Sequence, residues 1–330
     1  MAAPIRGLPM PVSRPALIVA GPTASGKSAL ALALARDLPG TVINADAMQV
    51  YRELRVLTAR PTAEDEAFAP HALYGVRPAR EPGSAAWWRG AALAAMAAAH
   101  AAGRIPILCG GSGLYLHALT AGLSEIPDPG PAARAEARAL LAELGPEALH
   151  ERLAAVDPAT AAVLRPTDSQ RIARGFEVWR GTGRGLASWR EAGGPGGPAG
   201  WRFAAIVLDP PRVALREAAG ARFAAMLEAE AVAEVRALLA LGLDPALPAL
   251  RAHGVPELAA HLRGDISLDE AAARAVAATG RYVKRQATWL RHHALAPPER
   301  MHMIHARIAG QAQLSERIIA EIIRFIHAPA

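Results

Sequence analysis

Residues 16–28 read ALIVAGPTASGKS, an apolar run that breaks into Gly21-x-x-x-x-Gly26-Lys27-Ser28 and continues into the alanine-rich Ala29 to Ala35. Few short patterns restrict a fold as strongly. A buried strand (Ala16 to Ala20), a glycine loop (Gly21, Thr23, Ala24, Ser25, Gly26) and a helix, in that order, make backbone N–H groups curl around phosphate oxygens. Lys27 is then the point charge for those oxygens, and the Ser28 hydroxyl faces a magnesium ion. Of the 36 lysines and arginines only Lys27 and Lys284 are lysines, so an ammonium is kept where a compact, rotatable donor serves better than a planar fork. A plain glycine-rich turn is the competing reading.

Thr41 to Asn44 reads as a second strand ending at Asp46, and Ile105 to Cys109 as a third ending at Gly110-Gly111, with a helix over Ala85 to Ala102 between them. This alternation predicts an α/β fold, a P-loop parallel sheet flanked by helices, with Gly21, Asp46 and Ser112 meeting at the carboxyl ends of the strands. After Gly122 the pattern changes. A proline-rich linker from Ile126 leads into helices over Ala132 to Leu144, Glu147 to Ala155 and Ser169 to Arg180, and a glycine- and proline-rich stretch from Gly193 to Gly200 closes the segment. Phe203 to Leu208 then resumes a strand. The expected organisation is a discontinuous core, residues 1–123 and 201–330, with residues 124–200 as a helical insertion domain. Ser267-Leu-Asp-Glu270 has capping-box spacing.

A chain of 330 residues, 52% of them apolar, can bury such a core and fold alone, so a monomer with no obligate protein partner is expected. The single Cys109 excludes a disulfide framework and a four-ligand Cys/His zinc site, which suits a cytoplasmic protein. Residues 1–15 lack an apolar h-region, and no stretch approaches the roughly 18 apolar residues of a membrane span. The net charge of +6 suits a polyanionic partner and is concentrated in two places. Six arginines lie between Arg165 and Arg190 against Asp168 and Glu177, and six basic residues between Arg281 and Arg307 against Glu299.

Asp46, followed by Ala47, Met48 and Gln49, is placed to be a general base, a magnesium ligand or a helix N-cap. Gly110-Gly111-Ser112-Gly113 offers either a close-approach backbone with a hydroxyl or a tight strand-to-helix turn. No acid follows the third strand, which weighs against an ATP-binding hydrolase. Gln170-Arg171-Ile172-Ala173-Arg174 sets Arg171 and Arg174 on one helical face and Ile172, Phe176 and Trp179 on the other, with Gln170 as a base-edge donor and acceptor. Lys284, Thr288 and Arg291 align at helical spacing above Trp289, either to grip phosphates or as an ordinary basic face. His253 and the pair His292-His293 lack metal-ligand spacing.

These motifs converge. GPTASGKS, DAMQVYRELRVLTARPT, GGSGLY, QRIAR, RAHGVPE and KRQATW occur in one order over nearly the whole chain, which thereby resembles the bacterial tRNA dimethylallyltransferases. The resemblance implies transfer of a dimethylallyl group from dimethylallyl diphosphate, with magnesium, to the exocyclic amine of the adenosine immediately 3′ of the tRNA anticodon. Asp46 matches the family's base and Ser112 its substrate-contacting hydroxyl, while Gly21 and Thr23 to Ser28 clamp the diphosphate. Asp46 to Gln49, Ser112, Arg134, Gln170 to Arg174, Lys284 and Arg285 match positions that touch tRNA, and the insertion resembles the arm that grips the anticodon stem-loop.

Three positions depart from the pattern: Ala47 stands for a serine, Arg60 for a lysine, and Ala218 for an arginine near the substrate, with Arg216 and Arg222 as candidates to supply that charge. A prenyltransferase acting on free adenine nucleotide shares the loop and the aspartate without needing the arm. A P-loop small-molecule kinase and a non-catalytic RNA-binding protein are the remaining alternatives.

Overall fold

The computed structural model describes residues 13–194, 196–310 and 316–327; residues 1–12, read above for a leader segment, lie outside it. The opening apolar run forms β1 (Arg14–Ala20), and the glycine loop feeds α1 (Lys27–Asp37). There follow β2 (Gly40–Asn44), α2 (Ala63–Phe68), β3 (His71–Ala72), α3 (Ala85–Ala101), β4 (Ile105–Gly110) and α4 (Gly113–Thr120). Residues 121–198 form a separate compact unit of four helices, α5 (Gly130–Val156), α6 (Pro158–Ala162), α7 (Ser169–Thr182) and α8 (Leu186–Glu191). The first unit resumes with β5 (Trp201–Leu208), α9 (Arg212–Glu228), α10 (Ala231–Ala240), α11 (Val255–Leu262), α12 (Leu268–His292), β6 (Met301–Ile304) and α13 (Glu316–His327).

The six strands form one sheet in the order β3-β2-β4-β1-β5-β6, with parallel pairing throughout. Central position explains why β1 is apolar at every residue from Ala16 onward: both of its faces are covered. Leu17 and Val19 pack with Leu30 and Leu34 of α1 and Ile322 of α13, whereas Ala16, Ile18 and Ala20 join Leu116 of α4 and Leu258 of α11. The period-2 alternation thus divides one apolar run between two cores.

Two strands escape the sequence pattern. β3 is only two residues long, and β6 reads Met-His-Met-Ile at a half-buried edge, too short and mixed for periodicity to mark. The capping box expected at Ser267 forms by half. Ser267 Oγ accepts the Glu270 N–H at 3.1 Å, while the Glu270 carboxylate pairs with Arg274 instead of turning back.

In the second unit, the two helices expected before residue 156 run on as α5, broken at Gly145 (φ 77°, ψ 173°) just before Pro146. Ala137, Leu149 and Leu153 of α5 pack on Ile172 and Phe176 of α7 in a small core. Asp157, 6% exposed, ties the remaining turns together by accepting the N–H groups of Thr160 and Leu186 at 3.2 and 2.8 Å.

Candidate active site

The loop after β1 alternates handedness, with Ala24 at φ 67° and Gly26 at φ 94°, and is closed by the Ser25 N–H on the Pro22 carbonyl at 3.2 Å. Such alternation turns successive N–H groups toward one anion-sized concavity. The Lys27 ammonium donates to the Pro22 carbonyl at 3.3 Å. Burial lowers its pKa, and the Asp46 charge opposes that shift. Two anchors hold the loop. Gln286 of α12, 4% exposed, accepts from Thr23 through Oε1 (2.9 Å from N, 3.1 Å from Oγ1) and donates to the Gly111 carbonyl through Nε2 at 2.9 Å. On the other side the Ile308 N–H donates to the Ser25 carbonyl at 3.0 Å.

Asp46 is not a helix N-cap. Residues 47–50 form a turn, and Asp46 Oδ1 accepts the Met48 N–H at 2.9 Å as an Asx-turn. Asn44 at the end of β2 accepts the Asp46 N–H at 2.8 Å and donates to the Asp46 carbonyl at 3.0 Å, fixing the turn from beneath. The fully buried Trp88 donates its indole N–H to the Asn44 carbonyl at 2.8 Å. Ser112 Oγ accepts the Ala47 N–H at 2.9 Å, so the ends of β2 and β4 are joined at the expected point. Both readings of Gly-Gly-Ser-Gly hold together. The segment is a strand-to-helix turn, and a Cβ at Gly110, Gly111 or Gly113 would run into the Ala45 backbone, the Gln286 amide or the Trp289 ring.

Beyond this junction lies a cavity of about 290 Å3, lined entirely by the first unit. Thr23, Lys27, Ser28 and Asp46 form one part of its lining, while Leu57, Ala219, Phe223 and Met226 give it an apolar wall. His253, Tyr282 and Arg285 line it as well. Burial, with the Asp46 charge adding, pushes the Tyr282 phenol up to about 12 against hydrogen bonds to Ser112 and Gln286, so it stays a protonated donor. Burial likewise lowers the pKa of His253, whose ring lies 4.9 Å from that of Tyr282. Ala47, Met48 and Gln49 also line the cavity, and the Gln49 amide nitrogen holds the Thr58 and Ala59 carbonyls at 2.9 and 3.0 Å. Of the two arginines weighed against Ala218, Arg222 lines this cavity and Arg216 lines a separate groove on α9 and α12.

Elsewhere the structure revises the reading. Ile172 is fully buried in the core of the second unit and its N–H is spent on the Asp168 carbonyl, so it has no face to offer RNA; Ala173 is half-buried against the same core. Gln170 and Arg171 are exposed. Arg171 approaches Asp168 at 3.5 Å, Arg174 pairs with Glu177 at 2.6 Å and Arg134 with Asp128 at 2.6 Å. The Arg171 and Arg134 pairs lie at the surface and are worth about 0–1 kcal/mol, so a phosphate can displace them, whereas the Arg174–Glu177 pair is partly buried. Lys284 is exposed in the α9–α12 groove, away from the cavity that Arg285 lines. Arg291 is engaged by Asp209 through two parallel 2.9 Å hydrogen bonds, a bidentate pair that a phosphate displaces less readily than the single contacts above.

Sequence reasoning gave no role to Gln286, Tyr282 or Glu234. The first had a signal: it is a polar residue inside the buried stripe Val283, Ala287, Leu290 of α12. Glu234 had none. Its carboxylate accepts the N–H groups of Arg55, Val56 and Leu57 at 2.6, 2.7 and 2.9 Å, which fixes the segment leading to Thr58 and Ala59.

A phosphate loop, a carboxylate and an apolar wall lining one cavity are the parts that a group-transfer enzyme needs. A family model described as IPP transferase matches residues 49–293, and one described as isopentenyl transferase matches residues 15–69. The chain belongs to the IPP transferase family and is a transferase. It is 63% identical to a tRNA dimethylallyltransferase of Granulibacter bethesdensis, over 95% of this chain and 98% of that one, and 61% identical to one of Acidiphilium cryptum, over 98% of each. Among solved structures it is similar to the tRNA isopentenylpyrophosphate transferase of Bacillus halodurans (TM-score 0.65, 29% identity, 95% of each chain). It shares its fold with a eukaryotic dimethylallyltransferase acting on tRNA (TM-score 0.77, 24% identity, 95% of this chain and 80% of that one).

Proposed function

We propose that the protein transfers a dimethylallyl group from dimethylallyl diphosphate to the exocyclic N6 amine of the adenosine 3′-adjacent to a tRNA anticodon, releasing diphosphate. The observation that carries this reading is the shared cavity, where Lys27 and Ser28 of the phosphate loop, the Asp46 carboxylate and the Leu57–Phe223–Met226 wall stand together. A five-carbon chain fits such a wall, and an adenine must leave its stack to reach it. The amine is a weak nucleophile because its lone pair is delocalised into the ring. As its nitrogen attacks the allylic carbon, the carbon–oxygen bond breaks and its electron pair leaves with the diphosphate. Asp46 accepts the amine proton. Lys27, the loop N–H groups and Arg222 stabilise the charge that grows on the departing oxygen. Ser112 holds the turn that aims Asp46 by accepting the Ala47 N–H.

Magnesium fits the donors present. Among the described residues no cluster of three or more His, Cys, Asp or Glu stands ready to hold a metal. The Ser28 hydroxyl matches instead an ion held mainly by waters and substrate phosphates, which would neutralise diphosphate charge. The exposed Gln170 and Arg171 and the half-buried Arg174 of α7, with the half-buried Arg134 of α5, are the proposed contacts to the anticodon stem-loop, together with Lys284 and Arg285 on α12. No described helix is long and apolar enough to cross a membrane; a cytoplasmic site of action is proposed on the ground that tRNA is the substrate.

The test is incubation with magnesium, dimethylallyl diphosphate and either an anticodon stem-loop bearing consecutive adenosines or free AMP, read by mass spectrometry. A dimethylallyl gain on the RNA alone is expected. Gain on AMP alone would assign the protein to nucleotide prenylation, and gain on neither would remove the catalytic reading.

A further inference from the structure

A second cavity, of about 520 Å3, opens on the outer side of the phosphate loop and shares Lys27, Ser28 and Arg222 with the first. Its charged lining is wholly cationic: Lys27, Arg55, Arg60, Arg222 and Arg307. Ala218 is a neutral spot on its wall. One of these cations comes from an unexpected place. Arg307 lies in the irregular segment after β6, where its Nε–H donates to the Ala24 carbonyl at 3.0 Å. The next residue anchors that segment, since the Ile308 N–H is bonded to Ser25 and its side chain is 7% exposed in the core beneath α1. Contact is so close that a Cβ on Gly26 would strike the Ile308 carbonyl, so glycine is required there by this strap as well as by its φ of 94°.

We infer that Arg307 is a diphosphate-binding residue: the strap carries its guanidinium onto the phosphate loop, where with Arg222 it supplies the positive charge that the wall lacks at Ala218. One N–H is committed to Ala24, which leaves the guanidinium's terminal nitrogens as donors for phosphate oxygens. Because Ala24 and Ser25 themselves hold the strap, charge and loop keep register with each other. The inference rests on the prenyl-diphosphate reading of the loop.

The experiment titrates the full-length protein calorimetrically with magnesium and inorganic diphosphate, and separately with the stem-loop, for wild type, R307A, R307K and the double variant A218R/R307A. Loss of a charged hydrogen-bond donor should weaken diphosphate binding about ten- to hundredfold in R307A. R307K should recover part of that loss and A218R/R307A most of it, with stem-loop affinity unmoved throughout. Arg307 is half-exposed, so R307A is expected to fold, and the double variant guards against a purely structural loss. Diphosphate affinity unchanged in R307A overturns the inference, as does an absence of recovery in A218R/R307A. A wild-type protein that binds the stem-loop but not diphosphate would instead remove the reading on which the inference stands.

Discussion

Replacing Gln286 by alanine removes the link between α12, the phosphate loop and the turn after β4. Three hydrogen bonds go at once: two from Thr23 and one to Gly111. The Thr23 hydroxyl can turn to water, but the Thr23 N–H is half-buried and the Gly111 carbonyl is buried, and each orphaned group costs about 1–3 kcal/mol. With partial solvation of the Thr23 site, the loss should come to about 3 kcal/mol. For a unit of this size that lowers the midpoint of thermal unfolding by roughly 6–12 °C. Function should respond separately, because Thr23 lines the cavity beside Lys27. KM for dimethylallyl diphosphate should rise while KM for the stem-loop stays level. Denaturant unfolding and steady-state kinetics on purified Q286A check both claims. A stability loss below about 0.5 kcal/mol together with an unchanged KM for the diphosphate would refute the assignment of Gln286 as the anchor of the loop.

D46N should retain stem-loop affinity in a filter-binding assay while prenyl transfer drops by about 10²–10⁴-fold, the range for loss of a general base; undiminished turnover would exclude Asp46. R171A should reduce the slope of log affinity against log salt by about 0.7–0.9, whereas R291A, tied to Asp209, should leave it unchanged. Burial holds the His253 pKa below its ordinary value, so the unfolded chain takes up a proton first as pH falls and the fold loses stability from about pH 6.5 downward. Unfolding free energies measured across that range should show a decline that H253N flattens. The Cys109 thiol, buried and pushed up to about 11, should resist alkylation at pH 8 until the protein is denatured, which a mass-shift assay reads directly.

Much of the first unit was legible because one physical pattern repeats. Strands β1, β2 and β4 are apolar runs ended by Gly21, Asp46 and Gly110-Gly111, and parallel order alone brings those ends together. What the pattern leaves out is long-range and polar. Gln286 meets Thr23 across 263 positions, and Glu234 reaches the Arg55 N–H across 179, distances over which no periodicity reports. Ile172 reads two ways: periodicity sets it on the apolar face with Phe176 and Trp179, where it packs on Leu149 and Leu153, and only the family resemblance carries it among the positions that touch tRNA. Arg291 shows the same limit, because a charge at helical spacing reads as free until its partner on another element is seen.

The order in which the chain is made gives the phosphate loop a history. Residues 21–28 leave the ribosome early, while the two clamps that fix them, Gln286 and Ile308, are among the last described residues to emerge. At about 5–20 residues per second, the interval is roughly ten to sixty seconds, during which the β1 end exists without its supports. A nascent chain stalled before α12 already holds β1 with its sheet neighbours β4 and β5, yet its loop has neither the Thr23 tether nor the Ser25 tether. The phosphate loop thus gains both of its tethers only at the end of synthesis, and a chain that lacks α12 and the segment after β6 leaves Thr23 and Ser25 without them.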